Sequence, residues 1–279
     1  VTMAAKFPSS LDIPALADKF AKDGCIVVEK ILSQEIIDAL MNQAAHIVDN
    51  FDAESHKTIF TTKDQAAASN DYFLDSASKI SCFFEPDAFN ENGDLRQAKN
   101  LSINKIGHAL HDLDPVFNAF CRSELIQKTA REIIKIDSPV LVQSMFIYKQ
   151  PRIGGEVSTH QDNWFIHTDP LSCCGLWFSL EDATVDNGCL YIVPGSHKEY
   201  PCQKRFTREG TTVTLSETME HPPKDEDFIA IPVPAGSMVL IAGGLLHRSF
   251  SNVSAKSRQA FTLHIVDSNC KYSDNNWLQ

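Results

Sequence analysis

His160-Gln161-Asp162, taken with the run Ser237-Met-Val-Leu-Ile241 that leads through Gly243-Gly244 to His247, decides how this 279-residue chain is built. Two imidazoles and one carboxylate occupy one face of an octahedral ferrous ion. They leave three positions open, the arrangement used where a cosubstrate and dioxygen must bind together. Arg258 follows His247 by eleven residues, and its planar fork suits the far carboxylate of 2-oxoglutarate. From Arg258 onward the pattern alternates: Arg258, Ala260, Thr262 and His264 share one strand face, and Phe261, Leu263 and Ile265 the other. The polar turn from Asn252 to Ser257 predicts a hairpin in which His247 and Arg258 lie nearly opposite on adjacent strands. A structural ion pair is the plain alternative for an inward arginine.

A second tripeptide, His167-Thr168-Asp169, carries the same residue types. Seven residues separate His160 from His167, so on one unbroken strand the two imidazoles point to opposite faces. Pro170 restricts Asp169 to extended or turn geometry and suggests a strand end. His160 and Asp162 are therefore the expected ligands, with His167 and Asp169 a polar rim near the pocket.

From Val140 onward, short apolar runs separated by Gly, Pro and Asn turns predict a mainly β fold with flanking α-helices, a double-stranded β-helix of the jelly-roll, cupin-like kind. One domain over residues 1–279 is expected, helical over about 1–135 with the jelly-roll core over about 136–270. Helices are expected from Leu11 to Lys22, after a cap at Ser33, and from Pro115 to Lys135. Residues 51–100 lack a sustained period and read as loops and short strands that either cover the active site or pack on the surface.

A net charge of −11 argues against a nucleic-acid surface, which needs clustered lysine and arginine. It also weighs against a coenzyme A ester, whose phosphates call for basic anchors. Lys204, Arg205 and Arg208 form the one dense basic patch, read as a solvated loop or as an anion-binding group. No apolar run approaches a membrane span, and no secretory pattern or Ser-Lys-Leu ending is present. Eight scattered cysteines read as free thiols in a reducing compartment. A cytoplasmic monomer acting on a small or lipid-like molecule is the expectation.

The residues as a group resemble the phytanoyl-CoA dioxygenase family of iron and 2-oxoglutarate oxygenases, one subgroup of it in particular. The resemblance rests on His160-Gln-Asp162, Asn187-Gly-Cys-Leu190, Pro194-Gly-Ser-His197, and His247-Arg-Ser249 with Arg258. Asp23-Gly-Cys-Ile-Val-Val28, Ser102 to His111, Gln143-Ser-Met-Phe146 and Asn276-Trp-Leu278 extend it over nearly the whole chain. It implies His160, Asp162 and His247 as iron ligands, and Lys105, Met145, Trp177, Ser249 and Arg258 around 2-oxoglutarate. Lysine offers a point charge, serine a hydroxyl and tryptophan a flat apolar wall. Without the family, Lys105 reads as a surface lysine, and Met145 and Trp177 as core. A true carboxylate at Asp162 points to a hydroxylase, because related halogenases replace it to admit halide. Fe(II), 2-oxoglutarate and dioxygen are the implied cofactors, with ascorbate as reductant in vitro. His108, His111 and His197 are expected to be structural or at the pocket edge. Two rivals keep part of the site: a non-catalytic metal and 2-oxoglutarate sensor, and a cupin-like zinc hydrolase with no use for Arg258 and Lys105.

Overall fold

The computed structural model describes residues 5–62, 66, 69–216 and 219–279. In chain order its strands are β1 (Cys25–Val28), β2 (Ile80–Phe84), β3 (Ile103–His108), β4 (Pro139–Ile147), β5 (Val157–His160), β6 (Thr168–Asp169), β7 (Cys174–Ser179), β8 (Leu190–Ile192), β9 (Arg205–Glu209), β10 (Thr212–Ser216), β11 (Ile229–Ile231), β12 (Met238–Ala242), β13 (His247–Ser249), β14 (Ala260–Asp267) and β15 (Lys271–Tyr272). A seven-stranded sheet runs in the order β1-β12-β7-β14-β4-β3-β2, and a four-stranded sheet in the order β11-β8-β13-β5. Every named pair in both is antiparallel. This is the expected jelly roll.

Side-chain alternation assigns the faces of the large sheet. Leu176, Phe178, Leu240, Phe261 and Leu263 point outward into one apolar cluster with Ile37, Leu40, Phe117 and Phe120 of the helical layer. Trp177, Val239 and Ile241 point the other way and meet Leu190 and Ile192 of the small sheet. A sheet packed on both faces reads as nearly continuous apolar sequence, as β7 and β12 do. The interior face of β14 carries Thr262 and His264, matching the period read from the sequence.

Three expectations change. The hairpin after His247 does not form: β13 pairs with β5 and β8, whereas β14 pairs with β4 and β7, so the turn from Asn252 carries the chain from one sheet to the other. The N-terminal part is not simply helical, because β1, β2 and β3 enter the large sheet and supply both its edges. The helix expected from Pro115 to Lys135 is three pieces: Pro115–Cys121, Glu124–Lys128 and a π-helical turn, Thr129–Ile134. The other two helices stand as Ile13–Asp23, capped by the Asp12 side chain, and Gln34–Asn50 after Ser33. In the 51–100 region Phe60, Thr62 and Phe73 line the central cavity. Glu85 ties this region down, accepting hydrogen bonds from Asn104 Nδ2 (2.7 Å) and the Gly155 amide (3.0 Å).

Candidate metal centre

Between the sheets lies a cavity of about 260 Å3, and His160, Asp162 and His247 meet on its wall. The meeting follows from register. His160 ends β5 and His247 begins β13, and the two are paired partners with ring centres 4.1 Å apart. Asp162 opens the 3-10 turn Asp162–Trp164 just past β5. Its Oδ1 lies 3.7 Å from His160 Nε2 and 3.6 Å from His247 Nε2. One ligand atom from each residue falls within 4.8 Å of the others, close enough for a shared metal ion.

Both imidazoles are set in the tautomer a metal needs. His160 Nδ1 donates to the Ser158 carbonyl at 2.8 Å and His247 Nδ1 to the Leu245 carbonyl at 2.9 Å, which leaves each Nε2 lone pair facing Asp162. Burial, with the facing His247, lowers the His160 pKa to about 4, so this imidazole is neutral at pH 7. Burial alone pushes the Asp162 carboxyl up, but His264, His247 and His160 outweigh it and hold the group ionised, well below the usual carboxylate range. The second carboxylate oxygen, Oδ2, faces His264 Nε2 at 3.4 Å. Gly175 makes room for it: a Cβ there would stand 3.0 Å from Oδ2.

Gln161, between the ligands, points away from them. Its amide donates to the Gly244 (2.6 Å) and Tyr200 (3.1 Å) carbonyls, and its oxygen accepts from Trp164 Nε1 at 2.7 Å. Gly243 answers the Gly-Gly signal in the sequence. Any side chain there would collide with the Cys173 carbonyl and Asn163 Oδ1, and its own carbonyl accepts the Asn163 amide at 2.9 Å.

Arg258 lies just before β14 and is 2 % exposed. Its guanidinium centre is 5.4 Å from the centre of the Trp177 ring, and Nε and Nη1 are buried with no hydrogen-bond partner among the described residues. Among the described residues no ion pair holds it. Lys105, 4 % exposed, sits 3.4 Å from the Phe60 ring centre and within 5.6 Å of the Phe83 and Phe73 centres, with Met145 Sδ at 3.9 Å. Burial holds its pKa well below the usual lysine value. Met145, Trp177 and Ser249 line the same cavity.

His167 and Asp169 fall outside this cavity, on a surface depression with Arg205 and Lys271. Asp169 ends the two-residue strand β6, paired with Lys271. His111 bonds to Ser144 Oγ at 2.8 Å and His197 packs on Gly24, both structural. His108 lines the cavity, with Nδ1 on Ser76 Oγ at 2.8 Å. Sequence reasoning placed His264 on the inward face but gave it no role. It also passed over Lys149, whose ammonium donates to the Phe250 carbonyl at 2.8 Å and to the Gly155 carbonyl.

The resemblance can be measured. Residues 20–260 match the phytanoyl-CoA dioxygenase (PhyH) family. A phytanoyl-CoA dioxygenase of Arabidopsis thaliana is 45 % identical over 95 % of this chain and 93 % of its own length. The Bos taurus phytanoyl-CoA dioxygenase domain-containing protein 1 is 41 % identical over 95 % and 94 %. Among solved structures, EctD from S. alaskensis with bound Fe superposes with a TM-score of 0.64 at 19 % identity, over 99 % of this chain and 84 % of that one. AviO1 from Streptomyces viridochromogenes gives 0.61 at 22 %, over 94 % and 98 %. These two share the fold. The family match and the near full-length relatives together place this chain in the phytanoyl-CoA dioxygenase family.

Proposed function

We propose that the chain is an Fe(II)- and 2-oxoglutarate-dependent dioxygenase that hydroxylates a C–H bond of a small molecule. The single observation that carries this reading is Arg258. A buried guanidinium whose Nε and Nη1 have no partner among the described residues, lining the same cavity as a His-Asp-His cluster, fits a carboxylate-bearing cosubstrate. A zinc hydrolase built on those ligands has no use for it.

The residues present fit the implied groups. His160 Nε2, His247 Nε2 and Asp162 would hold the iron: both nitrogens have free lone pairs, and the carboxylate is ionised. Arg258, helped by the Ser249 hydroxyl, would take the far carboxylate of 2-oxoglutarate. Lys105, Met145 and Trp177 would flank the keto acid. Bound there, ferrous iron, 2-oxoglutarate and dioxygen supply the oxidation: the keto acid becomes succinate and carbon dioxide, and one oxygen atom enters the substrate C–H bond. The chain's own work is orientation and exclusion. His264 faces Oδ2 of Asp162, so Oδ1 is the oxygen turned toward the imidazoles, where the three residues would hold the iron. Trp177, Met145 and the rings around Lys105 keep water from Lys105 and Arg258.

No described helix is long and apolar enough to cross a membrane. Eight free thiols support residence in a reducing compartment. The test is purified protein given ferrous iron, 2-oxoglutarate, ascorbate and oxygen. Slow succinate formation is expected without added substrate. Iron and keto acid bound but no succinate under any condition would replace the enzyme with a sensor.

A further inference from the structure

The cavity wall carries more basic than acidic side chains in an acidic protein. Among the described residues its charged side chains are Lys105, Lys149, Lys204, Arg248 and Arg258 against the single carboxylate of Asp162, while the whole chain carries −11. Four of these basic groups are accounted for. Arg258 and Lys105 belong to the keto-acid side under the oxygenase reading, and Lys149 is spent on the carbonyls of Gly155 and Phe250. Arg248 is held by Asp225 at 2.6 Å and lies against the rings of Phe228 and Phe250. Lys204 remains. It is half-buried, its ammonium stands 4.8 Å from the centre of the Trp164 ring, and no carboxylate pairs with it among the described residues.

Trp164 makes that placement matter. It lies two residues past Asp162 in the same 3-10 turn, and its Nε1 is fixed on Gln161 Oε1 at 2.7 Å. The ring is fixed in the cavity wall, with the Lys204 ammonium over its face. Beside it the wall is apolar: Phe165, whose ring centre is 5.9 Å from that of His160, then Leu215, Trp277 and Phe73. A volume of about 260 Å3, shared with a keto acid, lies below the roughly 300–1,000 Å3 of pockets that enclose drug-sized ligands.

We infer that the molecule oxidised is a small apolar monoacid, its carboxylate met by Lys204 over Trp164 and its hydrocarbon or aromatic body laid along Phe165 and Trp277 toward the triad. This rests on the oxygenase reading and deepens it. A coenzyme A thioester fits the wall poorly, because the basic trio of Lys204, Arg205 and Arg208 does not act together. Arg205 turns its Nη2 to Ser273 Oγ and Asn275 Oδ1, each at 3.1 Å. Arg208 is engaged by the carbonyls of Gly210 and Leu74. Among the described residues lining the cavity, Lys204 is the one cation left to meet one negative charge.

The experiment is anaerobic calorimetry on the full chain loaded with ferrous iron and 2-oxoglutarate. Octanoate, decanoate and 3-phenylpropanoate are titrated beside their methyl esters and octanoyl-coenzyme A, into wild type, Lys204→Ala and Lys204→Arg. At least one free acid should bind about tenfold more tightly than its ester, the effect of one partly exposed charge-assisted hydrogen bond. Lys204→Ala should abolish that preference by weakening the acid alone, and Lys204→Arg should keep it. Four results overturn the inference: acid and ester binding equally, a preference that survives Lys204→Ala, a thioester that outbinds every acid, or no acid binding at all. Iron and 2-oxoglutarate affinities of the wild type are measured first. If they are absent the oxygenase reading falls and takes this one with it, whereas normal loading without acid preference sinks the substrate class alone.

Discussion

Replacing Arg258 with methionine should make the ligand-free protein more stable while abolishing 2-oxoglutarate binding. The guanidinium is 2 % exposed, two of its nitrogens have no partner, and Glu85 and Glu181 act on it only at range. Burial brings its pKa down from 12.5 to about 10, which corresponds to about 3 kcal/mol of unfavourable burial at neutral pH. Methionine removes that cost and fills most of the volume against Trp177. Buried charges replaced by apolar side chains commonly return about 1–4 kcal/mol. At about 2 °C per kcal/mol for a chain of this size, the unliganded Tm should rise by roughly 2–8 °C. The assay is calorimetric or fluorescence melting of both proteins, with and without 2-oxoglutarate and a divalent metal. Wild type should gain stability from the keto acid; the variant should gain none. A variant that melts several degrees below wild type without ligand would refute the reasoning, because it would mean that Arg258 braces the fold and is not waiting for a carboxylate.

Three further outcomes follow from the same geometry. His160→Ala, Asp162→Ala and His247→Ala should each lose tight iron binding and succinate formation, while Asp169→Ala, on its two-residue strand outside the cavity, should keep both; iron content after gel filtration and succinate assays decide it. His264→Leu removes the group facing Asp162 Oδ2 at 3.4 Å and should weaken iron binding by roughly 10–100-fold, with His264→Gln recovering part of the loss in the same titration. Lys149 has its pKa lowered from 10.5 to about 7, chiefly by burial and then by Arg258. Between those values the unfolded chain holds a proton that the folded chain has lost, so this residue makes stability rise with pH from about 7 to 10.5, by at most about 5 kcal/mol. Lys149→Met should flatten that rise in unfolding free energy, and parallel curves for the two proteins would count against it.

How much of this was legible in the sequence depends on how local each cause is. Alternation along Arg258 to Ile265 is a property of one strand, and it assigned the inward face correctly, His264 included. The pairing of His247 with its neighbour is a property of the whole roll. The polar turn from Asn252 to Ser257 has the composition of a hairpin turn, and the two-strand rule favours the nearest partner. Closing a sandwich requires consecutive strands to change sheets. β13 therefore takes β5, about ninety residues earlier in sequence, and that choice sets His247 against His160. Had the local hairpin formed, β13 would have paired with β14 and lost the register that brings the two imidazoles together. Lys105 was opaque for a related reason. A lysine between Asn104 and Ile106 gives no sign of burial until Phe60, Phe73 and Phe83, from separate stretches of chain, close over it. The ligand types could be read from residues alone, but the cavity that buries Arg258 and Lys105 exists only when distant segments meet. The residues most costly to bury are thus the ones whose role the fold, and not the local sequence, defines.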